Sequence, residues 1–579
     1  MTLFWALENV RSSHFPGTSL ETSPLTMPSN FSRAIGFHIV TSNKMSSRFS
    51  IATLALAIGI LLSWLLLQPP PSAEKLQESQ KIVKKTFEPS VPGPASDRKA
   101  QEKSDRDPGF DPNAIPYERI VGFSSEEAYR NFLKKLGASG LRILGQIDAL
   151  RSVRVGFNTI NAFNDLGIDP ADIQFNYPVT IPELREVTPQ NGIVGFGSGA
   201  LNYLGITTDN SEWGRGVKIA VIDTGIGAHL SLTGEIQHIN LVELPEGVSP
   251  NSHGTSVASL IAGNHPNMKG VAPAADLISV RVADETGSSS SFILAEGIIA
   301  AADAGAQIIN ISMGSEGDSR LVRQAVEYAN AKGAVIFASS GNEGSSQSAF
   351  PAGDPNVFSV GAVDANGTHL NFSNTDSDLA FTAPGFEVQA AYPGDNVTSF
   401  TGTSGAVAFP VGAVAAIMSE SAAPMNAQRA VEILQGHTNE AGLPGNDPQF
   451  GIGIIDVGRA IQRDTPGIID IAVASQNYLL PSATSSTSGL QVNIENRGTE
   501  TVYQSTVDIS IAGDRFPYTI QTLRPNERTI VTIPSGLNTL SQEGQLAVSS
   551  EVTLSNGQRD ANPANDQRQE VITQPNNGP

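Results

Sequence analysis

The chain has 579 residues, 40% of them hydrophobic, and a formal net charge of -21 at pH 7. This length is too great for one ordinary hydrophobic core, so several domains are expected, and the acidic excess argues against nucleic acid or anionic lipid as the main partner. The sequence contains no cysteine, which excludes disulfides, thiolate metal sites and a cysteine nucleophile.

The first predicted element is an uncharged apolar run at residues 51–67, which follows Arg48 and ends before a run of prolines. Its length is at the short end of a membrane span and above that of a typical signal-peptide core. A buried core helix is the alternative, but the prolines and polar sequence that follow offer nothing for it to pack against. We therefore expect export, and a secreted and a membrane-tethered form both remain open.

Polar sequence flanks this run on both sides. Residues 1–50 form an N-terminal region whose start codon is open to question, because Met45 resembles the beginning of a signal peptide. Residues 68–113 are rich in Pro, Lys, Glu, Asp and Ser without apolar periodicity, which predicts a disordered linker.

Residues 114–185 have the pattern of a small α+β domain. Strands are predicted near residues 117–123, 151–157 and 173–177, and helices at residues 125–136 and 160–165. The order β-α-β-β-α-β suggests a ferredoxin-like unit. A free-standing α+β binding module is the alternative to a domain that serves the rest of the chain.

In residues 190–463, short apolar strands alternate with alanine-rich helices. The predicted strands cover residues 217–222, 277–282, 306–312 and 334–339. Such alternation predicts an α/β fold with a parallel sheet covered by helices on both faces. Active sites in these sheets lie at the carboxyl ends of the strands, where Asp223 and Ser312 fall.

Residues 466–573 change to alternation with period two and no helical segment. Runs such as residues 506–511 and 546–554 are separated by turn signals, which predicts an all-β sandwich. The turn at Asn496 and the Asp- and Asn-rich stretch from Asp560 to Asp566 resemble the bacterial adhesion-related sandwich domains called CARDB.

Three short segments carry the chemistry, and each places one polar residue in its own glycine-marked turn. They are Asp223-Thr-Gly, His253-Gly-Thr and Gly-Thr-Ser404. The chain order Asp, His, Ser is one of several unrelated orders in which the catalytic triad occurs. With the α/β pattern around them, these segments are similar to those of the subtilisin-like serine peptidases, the subtilase family.

This resemblance implies a role for each site residue. Ser404 would be the nucleophile at a helix N-terminus, His253 the general base and acid, Asp223 the carboxylate that supports the histidine, and Asn342 the side-chain donor to the oxyanion. The implied substrate-binding residues are Ser312, Met313, Gly314, Ser339, Ser340, Gly341 and Ala349. A small uncharged residue at position 349 indicates large apolar side chains at the P1 position of the substrate. The domain at residues 114–185 would be the propeptide, an intramolecular inhibitor.

The sequence departs from the family pattern in two places. After the nucleophile the family usually has Met-Ala-x-Pro, whereas this chain has Gly405-Ala-Val-Ala with the proline displaced to Pro410. The segments at residues 228–231 and 264–269 lack the residues of the family's best-known calcium site. We therefore predict no metal there, and no cofactor.

The sequence predicts an exported serine endopeptidase that acts on polypeptides, with its catalytic domain outside the cytoplasm. One rival is an inactive scaffold that serves as a cell-surface binding or adhesion protein, which the changes after Ser404 and the appended sandwich motivate. Another is a membrane-tethered maturation protease with one dedicated substrate, which the long linker motivates.

Overall fold

The computed structural model describes residues 111–136, 140–159, 161–164, 166–182, 192–479, 489–511, 513–534, 545–555 and 557–573. The predictions for residues 1–50 and 51–67, and for nearly all of the linker at 68–113, lie outside this part of the chain. Among the described residues, no helix has the length and apolar character needed to cross a membrane.

The N-terminal domain has the predicted order β-α-β-β-α-β, in which the second strand was not located by the sequence analysis. Its elements are β1 (Glu118–Gly122), α1 (Glu126–Lys135), β2 (Arg142–Ile147), β3 (Ser152–Gly156), α2 (Asn161–Asn164) and β4 (Ile173–Phe175). The strands form one sheet in the order β2-β3-β1-β4, in which β1 is antiparallel to both β3 and β4. The Ser125 side chain caps α1 by accepting a hydrogen bond from the backbone N–H of Ala128.

The central domain is built on a parallel sheet. The end of the N-terminal domain adds β5 (Pro178–Thr180) to the central domain, whose own strands are β6 (Lys218–Asp223), β7 (Ile236–Asn240), β8 (Asn264–His265), β9 (Met268–Lys269), β10 (Asp276–Arg281), β11 (Ser288–Ser290), β12 (Ile308–Ile311), β13 (Val335–Ser339), β14 (Phe358–Val363), β15 (Phe381–Pro384), β16 (Val388–Tyr392) and β17 (Asn396–Phe400). Its helices are α3 (Ala200–Tyr203), α4 (His253–Ala262), α5 (Ser291–Asp303), α6 (Arg320–Ala331), α7 (Thr403–Ala406), α8 (Ala408–Ser419), α9 (Ala427–Gln435) and α10 (Val457–Gln462). Seven strands form the main sheet in the order β15-β14-β13-β12-β6-β10-β7, and every neighbouring pair is parallel.

Helices cover both faces of this sheet, which confirms the predicted fold class. Apolar residues of α4, α8 and α9 form the core on one face. Those of α5 and α6 form the core on the other face, where Ile120 and Ile147 of the N-terminal domain join them. The N-terminal domain therefore shares a hydrophobic core with one helical layer of the central domain.

The helix predicted after Ser404 is divided into α7 and α8, with Val407 between them. Pro410 is the third residue of α8. The first four N–H groups of a helix have no intrahelical acceptor, so a proline at this position removes no helical hydrogen bond. The displaced proline is accommodated because the helix restarts just before it.

The C-terminal region is a sandwich of two antiparallel sheets. Its strands are β18 (Ile471–Leu479), β19 (Gly489–Asn496), β20 (Val502–Ile511), β21 (Asp514–Leu523), β22 (Arg528–Pro534), β23 (Gln545–Leu554) and β24 (Gln567–Thr573). The sheet β18-β19-β22 and the sheet β21-β20-β23-β24 enclose one apolar core. The runs predicted at residues 506–511 and 546–554 lie within β20 and β23, and the structure shows seven strands in the described part of this region.

A buried cluster of charges joins the sandwich to the central domain. Glu495 of β19 is 1% exposed and lies 3.2 Å from Arg459 of α10, 3.0 Å from Arg497 and 3.4 Å from Arg528. Its carboxylate also accepts the backbone N–H of Glu440. Burial opposes ionisation of Glu495, but the three arginines lower its pKa to about 2. The ionised Glu495 carboxylate therefore holds the sandwich to the central domain through Arg459.

We predict that Glu495→Gln destabilises the whole chain. The substitution leaves three arginine side chains around a neutral group, and removing one partner of a buried ion pair costs about 3 kcal/mol. Urea unfolding at pH 7 should show the loss. The matched control is Glu212→Gln, which breaks an ion pair with Arg215 in which both side chains are more than 60% exposed, and which should leave the midpoint unchanged.

The same variant should show the pH dependence of this contact. An unfolded glutamate has a pKa of about 4.3, so the contribution of Glu495 is complete above that pH and is lost as the pH falls towards about 2. The difference in unfolding free energy between wild type and Glu495→Gln should shrink over this interval. A difference that stays constant down to about pH 2 would contradict the assigned charge state.

Candidate active site

Asp223 ends β6 at the carboxyl edge of the sheet, with its side chain fully buried. Its Oδ1 accepts the backbone N–H of Thr224 at 2.7 Å, and the Thr224 hydroxyl lies 3.1 Å away. That hydroxyl also lies 2.9 Å from the backbone oxygen of Asn251 and accepts the backbone N–H of Gly254. Thr224 therefore ties the end of β6 to the loop and helix that carry His253.

His253 is the first residue of α4 and is 9% exposed. Its Nδ1 lies 2.9 Å from both carboxylate oxygens of Asp223. Its backbone N–H donates to the side chain of Asn251 at 3.0 Å. A carboxylate on Nδ1 favours the tautomer with the proton on that nitrogen, which leaves Nε2 free to accept a proton.

Gly254 makes the approach of α4 to β6 possible. A Cβ at this position would lie 2.5 Å from the backbone oxygen of Gly225 and 3.2 Å from the Cβ of Asp223. Any side chain at position 254 would push the start of the helix away from the strand end. The close approach of α4 to the end of β6 therefore requires the glycine of the His253-Gly-Thr segment.

Ser404 is the second residue of α7 and is 3% exposed. Its hydroxyl donates to the backbone oxygen of Ser312 at 3.3 Å, and the Ser312 hydroxyl donates to the backbone oxygen of Ser404 at 3.2 Å. The Asn310 amide donates to the Ser312 hydroxyl at 2.9 Å. These bonds fix the start of α7 against the carboxyl end of β12.

The side-chain amide of Asn342 is oriented by the residue before Ser404. Its Oδ1 accepts both the backbone N–H of Thr403 at 3.0 Å and the Thr403 hydroxyl at 2.9 Å. The Nδ2 group consequently faces away from Thr403, and it donates to the backbone oxygen of Pro182 at 3.3 Å. Gly402 allows this close packing, since its φ of 134° suits glycine and a Cβ there would lie 3.1 Å from Nδ2.

A segment from the N-terminal part of the chain occupies the substrate-binding edge predicted from the sequence. Thr180 and Gly314 exchange two backbone hydrogen bonds of 2.9 Å, as residues of antiparallel strands do. On its other side the segment pairs with β11, and the Ile181 N–H donates to the backbone oxygen of Gly287. This segment therefore lies between β11 and the backbone at Gly314. Its direction brings the Pro182 carbonyl to Asn342.

The structure brings most of the other predicted substrate-binding residues to this edge. Ala349 donates its N–H to the backbone oxygen of Ser340, and its Cβ lies opposite Gly314, where an added Cβ would come within 2.9 Å. Gly341 N–H reaches the hydroxyl of Thr403 at 3.3 Å, and Ser339 ends β13 nearby. The Met313 side chain, however, is fully buried in the core beside α5 and α6.

Thr224, Asn251, Thr403 and Pro182 contribute to the site, although the sequence analysis assigned them no role. Thr224 and Thr403 are the sequence neighbours of Asp223 and Ser404, so their place in the motifs could have indicated a role in the site. Nothing in the sequence indicated a role for Pro182, because only the fold brings this residue to Asn342. Over the described residues, no three His, Cys, Asp or Glu side chains are grouped so that they could hold a metal ion.

Comparisons with known proteins identify relatives of this site. Residues 214–453 match the model of the subtilase family of peptidases. An alkaline protease of Shouchella clausii is 30% identical over 355 residues, which cover 58% of this chain and 89% of that protein. Subtilisin E of Bacillus subtilis is 31% identical over 59% of this chain and 90% of its own length, and subtilisin Savinase of Lederbergia lenta is 35% identical over 42% and 90%.

Proposed function

Because the chain belongs to the subtilase family of serine endopeptidases, we propose that it hydrolyses peptide bonds through Asp223, His253 and Ser404. The observation that carries the proposal is the 2.9 Å approach of the His253 Nδ1 to a fully buried Asp223. A carboxylate in that position stabilises the imidazolium that forms when His253 Nε2 accepts the proton of the Ser404 hydroxyl.

The reaction then proceeds in two stages. The Ser404 Oγ attacks the substrate carbonyl, and His253 Nε2 returns the proton to the leaving amine as the peptide C–N bond breaks. A water molecule attacks the resulting ester, again losing a proton to Nε2, which frees the acid and restores Ser404. In the structure the Ser404 hydroxyl donates to the backbone oxygen of Ser312, and the proposed transfer requires it to turn from this acceptor to Nε2 of His253.

Two donors would stabilise the negative charge that develops on the carbonyl oxygen. One is the backbone N–H of Ser404 at the start of α7, and the other is the Asn342 Nδ2 group. The contact between Nδ2 and the carbonyl oxygen of Pro182 supports this role, because a substrate carbonyl would occupy the same place. Removing a single donor of this kind typically lowers kcat about 100- to 1000-fold.

The N-terminal domain would act as an inhibitory propeptide. Its last described segment lies in the substrate-binding edge as a substrate would, with backbone hydrogen bonds to Gly314 and Gly287. The peptide bond after Pro182 is the one whose carbonyl meets Asn342, so we propose that this bond is cut first. The small, uncharged Ala349 beside Gly314 supports an apolar residue at P1, and proline is apolar.

Export is also part of the proposal, and it depends on the apolar run at residues 51–67. Polypeptides would be the substrates, with the catalytic domain outside the cytoplasm.

The first test follows self-processing of residues 100–579 in wild type and in Ser404→Ala by intact mass. We expect wild type to lose an N-terminal fragment that ends at Pro182 and then to hydrolyse a peptide with an apolar P1 residue. Ser404→Ala should stay at full length and inactive. Two folded proteins that both remain at full length and inert, even after a trace of an unrelated protease removes the N-terminal domain, would contradict the proposal and favour the inactive scaffold.

A second prediction concerns Thr403. Thr403→Val keeps the shape of the side chain but removes the hydroxyl that donates to the Asn342 Oδ1. Loss of this hydrogen bond corresponds to a decrease in kcat of about tenfold, because Asn342 acts on the transition state. Thr403→Ser retains the hydroxyl and is the matched control. Equal kcat values for the two variants would show that this hydrogen bond does not orient Asn342.

A further inference from the structure

Gly405 directly follows the proposed nucleophile, and its missing side chain leaves space for an aromatic ring. A Cβ built at Gly405 would lie 3.0 Å from Cδ1 and 3.3 Å from Cε1 of Phe400. The next nearest atom, Cδ1 of Leu260, would be 3.6 Å away. The Phe400 ring therefore lies in the volume that a larger residue at position 405 would occupy.

The same ring lies against the proposed general base. The centroids of Phe400 and His253 are 5.4 Å apart, and their planes meet at 62°, which is an edge-to-face arrangement. Asp223 binds the imidazole at Nδ1 only, so the carboxylate alone leaves the ring free to tilt about that contact. An aromatic surface beside the imidazole restricts this tilt.

Phe400 is itself held in a defined place relative to α4. It ends β17, and its register partner in β16 is Val388. Ala391 in β16 accepts a hydrogen bond from the Ser256 hydroxyl at 2.7 Å, and its N–H donates to the Ser259 hydroxyl at 2.9 Å. Ser256 and Ser259 belong to α4, the helix that His253 begins, so the hairpin and the histidine are carried by directly linked elements.

We propose that Phe400 is a positioning residue for His253, and that the glycine at position 405 provides the space that the Phe400 ring occupies. The ring holds the imidazole in the plane in which Nδ1 faces Asp223, so that Nε2 stays on the side away from that carboxylate. This inference rests on the proposed roles of His253 and Ser404.

The test is a double-mutant cycle on the full chain with Gly405→Ala, Phe400→Ala and the double variant. The readout is the first-order rate of self-cleavage, in which the substrate is tethered and binding does not limit the rate. We expect each single variant to lower this rate about three- to tenfold, the range that aromatic pair energies imply. In the Phe400→Ala background, Gly405→Ala should cause no further loss, because the added methyl group no longer meets the ring.

A second readout separates positioning from a general loss of stability. The Nδ1 proton between His253 and Asp223 should give a resolved low-field proton resonance in wild type, and this resonance should broaden in Phe400→Ala as the imidazole tilts and its proton exchanges with water. Phe400→Leu, which retains apolar volume, should fall between the two. Val397→Ala on the same strand removes a side chain that is 53% exposed and should change neither readout.

Each outcome decides a different point. Self-cleavage within twofold of wild type in Phe400→Ala, or an equal effect of Gly405→Ala in both backgrounds, would overturn the positioning role. A wild-type chain that does not cleave itself or a peptide, even after its N-terminal domain is removed, would instead contradict the proposed function.

Discussion

The arrangement of the site depends on the contact between the buried Asp223 carboxylate and the His253 imidazole. A fully buried carboxylate is costly unless hydrogen-bond donors surround it, and here Thr224 and the imidazole provide them. This contact requires α4 to begin against the end of β6, which only a glycine at position 254 permits. The ring of Phe400 can lie against the imidazole only because α4 starts there.

The sequence predicted the parts of the site that depend on local order. Strand ends, glycine turns and the helix start at His253 follow from neighbouring residues, so the carboxyl edge of the sheet was foreseen. Asn342 and Pro182 are 160 positions apart in the sequence. The periodicity of apolar residues gives no information on which distant residues come into contact. Met313 was predicted among the substrate-binding residues, but its side chain lies in the core, because successive side chains of an extended chain point to opposite sides.

The C-terminal sandwich was predicted as a domain, but its attachment to the central domain was not. Period-two alternation identifies strands, whereas the charge cluster around Glu495 combines side chains from α10, β19 and β22 that are far apart in the sequence. The Glu495 carboxylate is buried at its contact with Arg459. Separating the two regions would therefore expose these charges or leave them buried without partners. The resemblance of this region to adhesion-related sandwich domains stays a prediction.

The most direct measurement is the site of modification by a phosphonyl fluoride, mapped by peptide mass spectrometry after the N-terminal domain has been removed. Such reagents modify a serine whose hydroxyl is activated by a neighbouring base. The account predicts one adduct, on Ser404, in the wild-type chain, and none in a folded His253→Ala variant. An adduct on another serine, or equal labelling of Ser404 in both proteins, would contradict the assignment of His253 as the base that activates Ser404.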